Sequence, residues 1–363
     1  MKVVIAHDWL TGFRGGERVL EIFCEMFPDA PLYTLIHVPG SVPKIIENRK
    51  IKTSFLNVIP GISKHYRKFL PLFPLAARSL RITEDVDLVL SSSHCVIKGL
   101  TKPKELKHIS YIYSPMRYLY DQYDSYFGID SPWYQRWGMK LFRRYLTRWD
   151  INSNKNVDNF IAISEFVQSR IQDYYGRDSE IVYPFVDLKD FASLEDKNYQ
   201  REDYYLMVSA FAPNKKVDLA VRTFNKIGKK LKIIGGGQDE DRLRSMANEN
   251  IEFLGTANRD IVVESFAKAR AFIFPGVEDF GITPLESLAS GTPVIAYKKG
   301  GVLETLNDDV AYFFEEQSVE CLSQAIYKFE EKEYDVDKLR ARAKSFSKER
   351  FKDELMKKIK ELM

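Results

Sequence analysis

Residues 271–301 read AFIFPGVEDFGITPLESLASGTPVIAYKKGG, and their punctuation describes a strand, a loop, a helix and a second strand. The apolar run 271–274 stops at Pro275 and Gly276, as a buried parallel strand does. Glu278, Asp279, Phe280, Gly281 and Ile282 form the loop. Thr283 can cap a helix that has Pro284 at its first position and Glu286 at its third. Leu285, Leu288 and Ala289 give that helix an apolar face, Gly291 ends it, and 293–297 is the next strand. Such a junction leaves helix N–H groups without intrahelical partners, a ready anion site. Gly281 lets a ligand approach the backbone closely. Glu278 and Glu286 flank the junction, seven residues between them. Two carboxylates would repel a phosphate, so their ligands are read as neutral hydroxyls. A sugar and a ribose joined by a diphosphate supply both the hydroxyls and the anion. An isolated spacing of this kind reads first as a capping box plus a surface acid. Here it comes with the glycine turn, the proline and a second glycine loop, Gly300-Gly301, in order.

The segment EDFGITPLE followed by ASGTPVIA resembles the signature of the retaining glycosyltransferases of family 4, which have the GT-B fold. That resemblance runs through nearly the whole chain. It implies an α/β protein of two doubly wound Rossmann-like domains facing across a cleft. Glu278 would then bind the sugar hydroxyls and Glu286 the ribose, with Phe280, Gly281, Ile282 and Thr283 around the diphosphate.

Composition agrees with a soluble two-domain protein. The chain has 363 residues, 45% apolar and 29% charged, with a net charge of +3, too mild to imply nucleic acid by itself. No apolar run reaches the ~18 residues of a membrane span. The opening MKVVIAH reads as a strand, not a signal peptide. Cys24, Cys95 and Cys321 are odd in number and far apart, so they read as thiols in a reducing, cytoplasmic compartment. No Cys/His cluster has metal-ligand spacing, and neither a cofactor nor a catalytic divalent ion is expected.

Working outward, 3–6 is a strand, Gly12, Gly15 and Gly16 make a glycine-rich loop, and 17–26 is a helix. This is the phosphate-cradling order of doubly wound folds without the full dinucleotide fingerprint, and equally that of a tight βα turn. The family resemblance makes Gly15 and Gly16 site residues near the donor phosphates. His94 follows the buried strand 86–90 and the serines SSS, at an end where ligands bind in parallel sheets. It also reads as a hydrogen-bonded structural histidine. SSSHCVIKG and YIYSPMRYLYD look like a bacterial polysaccharide branch of family 4. Much of that family has His where this chain has Tyr113. Tyrosine can donate a hydrogen bond but carries no proton charge near neutral pH. His94 and Arg117 are therefore stronger cleft candidates than Tyr113, with Arg117 and Tyr113 read as acceptor-binding. The last strand of the first domain is expected at 159–164, an extended crossing at 181–187, and a polar linker at 188–204. The domains are 1–183 for the acceptor and 184–344 for the nucleotide sugar, with the tail 345–363 returning to the first.

In the second domain the resemblance assigns diphosphate neutralisation to an Arg and, five residues later, a Lys. Lys215 matches the Lys, but Ala210 stands at the Arg position. Lys216 or Arg14 would supply the missing charge. The base would lie near Leu254, Gly255 and Arg259. Two stretches, 62–81 and 133–149, are basic, aromatic and free of acids. In the second, Trp137, Leu141, Tyr145 and Trp149 recur every four residues beside Lys140, Arg144 and Arg148. Such a helix suits an anionic membrane surface. It equally suits packing of the aromatic side inward with a solvated basic side.

The function expected is hexose transfer from a nucleotide diphosphate sugar with retention. The best match is mannose from GDP-mannose, moved to a saccharide or polyprenyl-linked acceptor in surface polysaccharide assembly (O-antigen, capsule or exopolysaccharide). Catalysis falls to Glu278, Lys215 and His94. Other readings are a UDP-sugar donor, a non-catalytic sugar-nucleotide-binding partner of another transferase, and a nicotinamide dehydrogenase. Neither the glycine turn at 12–16 nor the second strand-to-helix glycine turn at 235–237 has the full fingerprint with the ribose acid the last would need.

Overall fold

The computed structural model describes residues 1–128, 131–194 and 200–363. Residues 195–199 of the expected polar linker lie outside the described residues. The chain forms two compact units, Met1–Tyr183 with Lys352–Met363, and Pro184–Phe351.

The first unit holds seven strands: β1 (Val3–His7), β2 (Leu32–Thr34), β3 (Ile51–Thr53), β4 (Leu88–Ser93), β5 (Lys107–Ile112), β6 (Asn159–Ala162) and β7 (Ser179–Ile181). Their order is β3-β2-β1-β4-β5-β6-β7, and every pairing is parallel. The second unit holds β8 (Tyr205–Val208), β9 (Leu231–Ile234), β10 (Ile251–Gly255), β11 (Phe272–Phe274), β12 (Val294–Tyr297) and β13 (Ala311–Phe314). Their order is β10-β9-β8-β11-β12-β13, again parallel throughout. β1 and β4 are buried along their whole length, which is why they read as continuous runs rather than alternating ones.

Strand order reverses between β1 and β4 in the first unit and between β8 and β11 in the second. Ligands of doubly wound sheets bind beyond the strands' carboxyl ends at that reversal. Those ends are His7 and Ser93 in one unit, Val208 and Phe274 in the other.

Three expected boundaries move. The first helix is Gly15–Met26, so Gly15 and Gly16 are its first residues, not loop. The Arg14 N–H donates to Glu17 Oε2 at 2.9 Å and closes the turn two residues early. The helix of the central stretch is Ile282–Ala289, capped by Gly281 at φ +92°. Thr283 is therefore its second residue and no cap, and Pro284 is its third. A proline is tolerated there because first-turn N–H groups have no helical partner. Finally, β6 is not the last strand. Ser179–Ile181, of which only Ile181 falls in the expected extended crossing, pairs with β6 from Phe160 to Ala162.

The basic, aromatic stretch is one helix, Trp133–Ser153. Met139, Leu146, Trp149 and Asp150 are buried, whereas Trp137, Leu141 and Tyr145 are exposed. A four-residue step overshoots a helical turn by about 40°. By Trp149 the apparent stripe has therefore rotated from the solvent side to the inner side.

Candidate functional site

In the second unit the loop after β11 is held by close backbone approaches. A Cβ on Gly276 would lie 2.9 Å from Asn214 O and 3.1 Å from Lys215 Cα. Only glycine lets this loop rest on the turn Pro213–Lys215. The result is an ion pair between Lys215 Nζ and Glu278 Oε1, both largely buried. From the other side, the Gly301 N–H donates to Glu278 O at 2.9 Å, and a Cβ on Gly301 would meet Asp279 O at 2.2 Å. The second glycine loop thus fixes the backbone that carries Glu278.

Beyond Glu278 the chain turns at Gly281 into the helix Ile282–Ala289, whose N-terminus has no side-chain cap. First-turn N–H groups have no intrahelical partner, and a helix end of this kind suits an anion. Phe280 is buried against Phe346, ring centroids 5.7 Å apart, so it offers a ligand only its backbone. Glu286 lies inside the helix and pairs with Arg259 Nη1 at 2.8 Å. Arg259 Nε donates to Asp190 Oδ2 at 2.7 Å, and the guanidinium lies 5.0 Å from the Phe191 ring centroid. Gly255 ends β10 at φ +68° and accepts from Gly235 N at 2.8 Å. Lys216 caps the helix Val217–Ile227 at φ +56°. Ala210 is exposed.

The first unit gathers a different set at its reversal point. Asp8, wholly buried, follows β1. Its Oδ2 accepts the N–H groups of His94 and Cys95 at 2.7 and 2.9 Å, and its Oδ1 those of Val96 and Ile97, both at 2.8 Å. Asp8 Oδ2 also lies 3.3 Å from His94 Nδ1. The His94 ring stands edge-on to Trp9, centroids 4.5 Å apart. Burial pulls the His94 imidazole below the usual histidine range against the opposing pull of Asp8, so it is neutral near pH 7.

Beside it runs a hydrogen-bonded relay. The Tyr113 hydroxyl donates to the Gly16 carbonyl at 2.9 Å, and a carbonyl can only accept. Tyr113 must then accept from Ser92 Oγ at 3.0 Å, and Ser92 from His7 Nδ1 at 2.8 Å. The single O–H of Tyr113 is committed to holding the start of the first helix. His7 Nε2 lies 3.8 Å from Glu17 Oε1. Burial acts to raise the Glu17 pKa, but His7 and the amides of Glu17 and Arg14 hold it below the usual carboxylate range. Arg117 is near enough for its charge to act on His94.

The structure thus brings Lys215 to Glu278 and Arg259 to Glu286 in one unit, and His94, Tyr113 and Gly16 together in the other. Asp8, His7, Glu17 and Asp190 escaped sequence reasoning. Asp8 had one signal, its place directly after a buried strand. The three Asp-x-Asp triplets of the chain are engaged elsewhere. Asp85 pairs with Lys2, Asp239 with Arg242, and Asp335 caps the helix Val336–Lys344.

Two family models match in tandem: Glycosyltransferase Family 4 over residues 13–190 and Glycosyl transferases group 1 over 190–350. The O-antigen chain mannosyltransferase RfbU of Salmonella typhimurium is 26% identical over 229 residues, 55% of this chain and 62% of that protein. A GDP-mannose-dependent monoacylated alpha-(1-6)-phosphatidylinositol monomannoside mannosyltransferase of Corynebacterium glutamicum is 29% identical over 198 residues, 47% of this chain and 52% of that protein. The chain spans about half the length of the relatives it matches. Among solved structures, sucrose-phosphate synthase of Thermosynechococcus elongatus aligns with a TM-score of 0.71 at 15% identity, covering 100% of this chain and 99% of that one. The lipopolysaccharide outer core galactosyltransferase WaaB aligns with 0.69 at 16% identity, covering 100% of both chains. With both sheets parallel and the two models meeting end to end across residues 13–350, the chain belongs to glycosyltransferase family 4 and has the GT-B fold.

Proposed function

We propose that the protein transfers a hexose from a nucleotide diphosphate sugar with retained anomeric configuration, and that the donor is GDP-mannose. The observation that carries the transfer reading is the pairing of both glutamates with cations around an uncapped helix N-terminus. Without ligand each carboxylate is neutralised. A diphosphate on the N–H groups of residues 281–283 would compete with Glu278 for Lys215, releasing that carboxylate to accept from sugar hydroxyls. Glu286 takes the ribose hydroxyls. As the bond between the anomeric carbon and the phosphate oxygen breaks, charge grows on the leaving diphosphate. Lys215 and the helix N–H groups then bind more strongly than in the ground state, and that difference lowers the barrier. Lys216 is the nearest substitute in sequence for the charge missing at Ala210. Arg117 is assigned to the acceptor, a saccharide or polyprenyl-linked intermediate of surface polysaccharide, and His94 to catalysis beside it. Support for mannose is the naming of the Salmonella and Corynebacterium relatives as mannosyltransferases, the latter GDP-mannose-dependent.

A thermal-shift comparison of GDP and UDP tests the donor. A nucleotide at a hundred times its dissociation constant stabilises the folded state by about 2.7 kcal/mol. GDP is expected to raise the melting point and UDP to leave it in place. A shift with UDP alone would make the donor a UDP-sugar. Slow release of mannose from GDP-mannose without acceptor is the expected sign of an enzyme. Tight GDP-mannose binding with no release and no transfer would make the protein a non-catalytic binding partner.

A further inference from the structure

Asp8 commits a wholly buried carboxylate to a single turn. Its Oδ2 accepts the N–H groups of His94 and Cys95 and its Oδ1 those of Val96 and Ile97, all at 2.7–2.9 Å. The backbone of His94 is thereby tied to the end of β1, and its ring is held as well. Trp9, the residue after Asp8, stands edge-on to the imidazole with centroids 4.5 Å apart. Trp9 is itself packed on Tyr66 and Phe73, centroids 5.2 and 5.8 Å away. Asp8 Oδ2 lies 3.3 Å from His94 Nδ1. A carboxylate offers only lone pairs, so a bare Nδ1 there would be repelled. The ring is neutral near pH 7 because burial outweighs the pull of Asp8. Its one hydrogen therefore sits on Nδ1 and leaves Nε2 bare. The His94 side chain is 34% exposed, and among the described residues no hydrogen bond reaches Nε2. His108 is the contrast: it spends both ring nitrogens inside the fold, on Asn156 O and Ser91 Oγ. His94 spends one and keeps the other open at the carboxyl end of β4, where doubly wound sheets take ligands.

We propose that Asp8 is a positioning residue that locks His94 in the form with hydrogen on Nδ1, so that His94 Nε2 accepts a hydrogen bond from the attacking hydroxyl of a saccharide acceptor. This rests on the transfer reading above and gives His94 its task within it. A hydroxyl that donates to Nε2 has its own lone pairs turned away from the ring, free to meet the anomeric carbon. Holding the oxygen in that orientation before the bond forms removes part of the entropic barrier. The neighbouring side chains are less suited to the task. The Tyr113 hydroxyl has given its hydrogen to the Gly16 carbonyl and accepts from Ser92. Arg117 has donors only. Glu17 is 5% exposed and accepts from the Arg14 N–H. The Asp8 carboxylate, which gathers four amides, thus acts on the acceptor through His94 and not by touching it.

The test has a spectroscopic arm and a kinetic arm. Long-range proton–nitrogen correlation spectra of the full chain, labelled with 15N-histidine, report which nitrogen of each ring carries hydrogen. His94 is assigned by the signals lost in His94→Gln. Hydrogen on Nδ1 and a bare Nε2 are expected at neutral pH, and hydrogen on Nε2 overturns the proposal. This readout needs neither substrate nor activity, and it needs no Asp8 variant to fold. The kinetic arm follows mannosyl transfer from GDP-mannose to methyl α-mannoside. The amide of an asparagine at 94 overlies Nδ1 and can still face Asp8, whereas that of a glutamine reaches the place of Nε2 and offers an oxygen there. His94→Asn should lower kcat by about a hundredfold, and His94→Gln should lose less. The rise in melting point with GDP should be the same in both as in wild type, which shows that each variant folds and binds nucleotide. Equal loss in the two variants, or near-normal kcat in His94→Asn, overturns the proposal. A wild type that neither transfers nor releases mannose sinks the transfer reading and the hydroxyl role with it, while the spectra still decide whether Asp8 sets the form of His94.

Discussion

Glu278 and Glu286 each hold a cation of a different kind, and the difference separates their roles. Lys215 is a compact point charge that a diphosphate can draw away, whereas Arg259 is itself anchored by Asp190. In the proposed reading, Glu286→Gln removes a charged acceptor of ribose hydroxyls, an interaction worth about 1.5–3 kcal/mol. It should raise the dissociation constant for free GDP by about ten- to a hundredfold in calorimetry. Glu278→Gln should leave that constant nearly unchanged and lower the turnover rate by about a hundredfold, since orientation at the anomeric carbon matters most as the bond breaks. If both variants transferred at near-normal rates, the central stretch would be only a capped turn. A second residue-scale expectation concerns His108, wholly buried, with Nδ1 donating to Asn156 O at 3.0 Å and Nε2 2.7 Å from Ser91 Oγ. Burial lowers its pKa to about 4 from the usual 6.5. The unfolded chain therefore takes up this proton first, and stability is lost as pH falls from about 6.5 toward 4. Between pH 7 and pH 5 the loss is about 2 kcal/mol. Urea unfolding at the two pH values should show a smaller difference in His108→Gln than in wild type.

At the scale of elements, the long helix Trp133–Ser153 is fastened by a buried polar cluster. Lys98, 1% exposed, pairs with wholly buried Asp150. The hydroxyls of Tyr120 and Tyr175 donate to Asp150 Oδ2 at 2.8 and 3.0 Å. A Cβ on Gly99 would lie 2.5 Å from Trp149 Cζ2, so the turn carrying Lys98 meets the helix backbone-close. Lys98→Met strands a charge in the core and should cost about 3–5 kcal/mol. Replacing both partners, Lys98→Met with Asp150→Leu, should recover most of that loss, because no charge is left uncompensated. Equal loss in the single and double variants, read from urea melts, would mean the pair stabilises the helix beyond its desolvation cost.

At the scale of the molecule, the first unit is completed by the end of the chain. Lys352–Met363 counts with it; Leu355 and Ile359 are wholly buried, and Lys358 pairs with Glu180 of β7 at 2.8 Å. Truncation after Phe351 uncovers the apolar surface those two side chains cover, about 1.5–3 kcal/mol for each. Hydrogen exchange should accelerate first at β6 and β7 and leave β8–β13 as protected as before. Uniform acceleration in both units would instead mark the last helix as support for the whole chain.

Strand positions were legible because a parallel strand covered on both faces is a short continuous apolar run, a property of neighbouring residues. The two glutamates were legible for the same reason, since one turn and one helix separate them. The Ser164 helix cap is local in the same way: its hydroxyl accepts from Val167 N, three residues on. Where backbone chemistry competes within a few residues, the order of claims is less plain. Gly15 and Gly16 read as loop, yet the Glu17 carboxylate draws the helix start back onto them. Other features were set only by tertiary structure. Arg259 meets both Glu286 and Asp190, residues 27 and 69 positions away from it, and no period or punctuation encodes such a meeting. Asp8 gathers four amides from a turn more than 80 residues distant. Tyr113 spends its proton on Gly16 rather than on a ligand. The sequence by itself determined the elements and the signature loop, because propensity and hydrophobic period act between near neighbours. Which cation faces which carboxylate, and which side of the long helix meets solvent, was decided by the packing of strands that adjoin in the sheet but not in the chain.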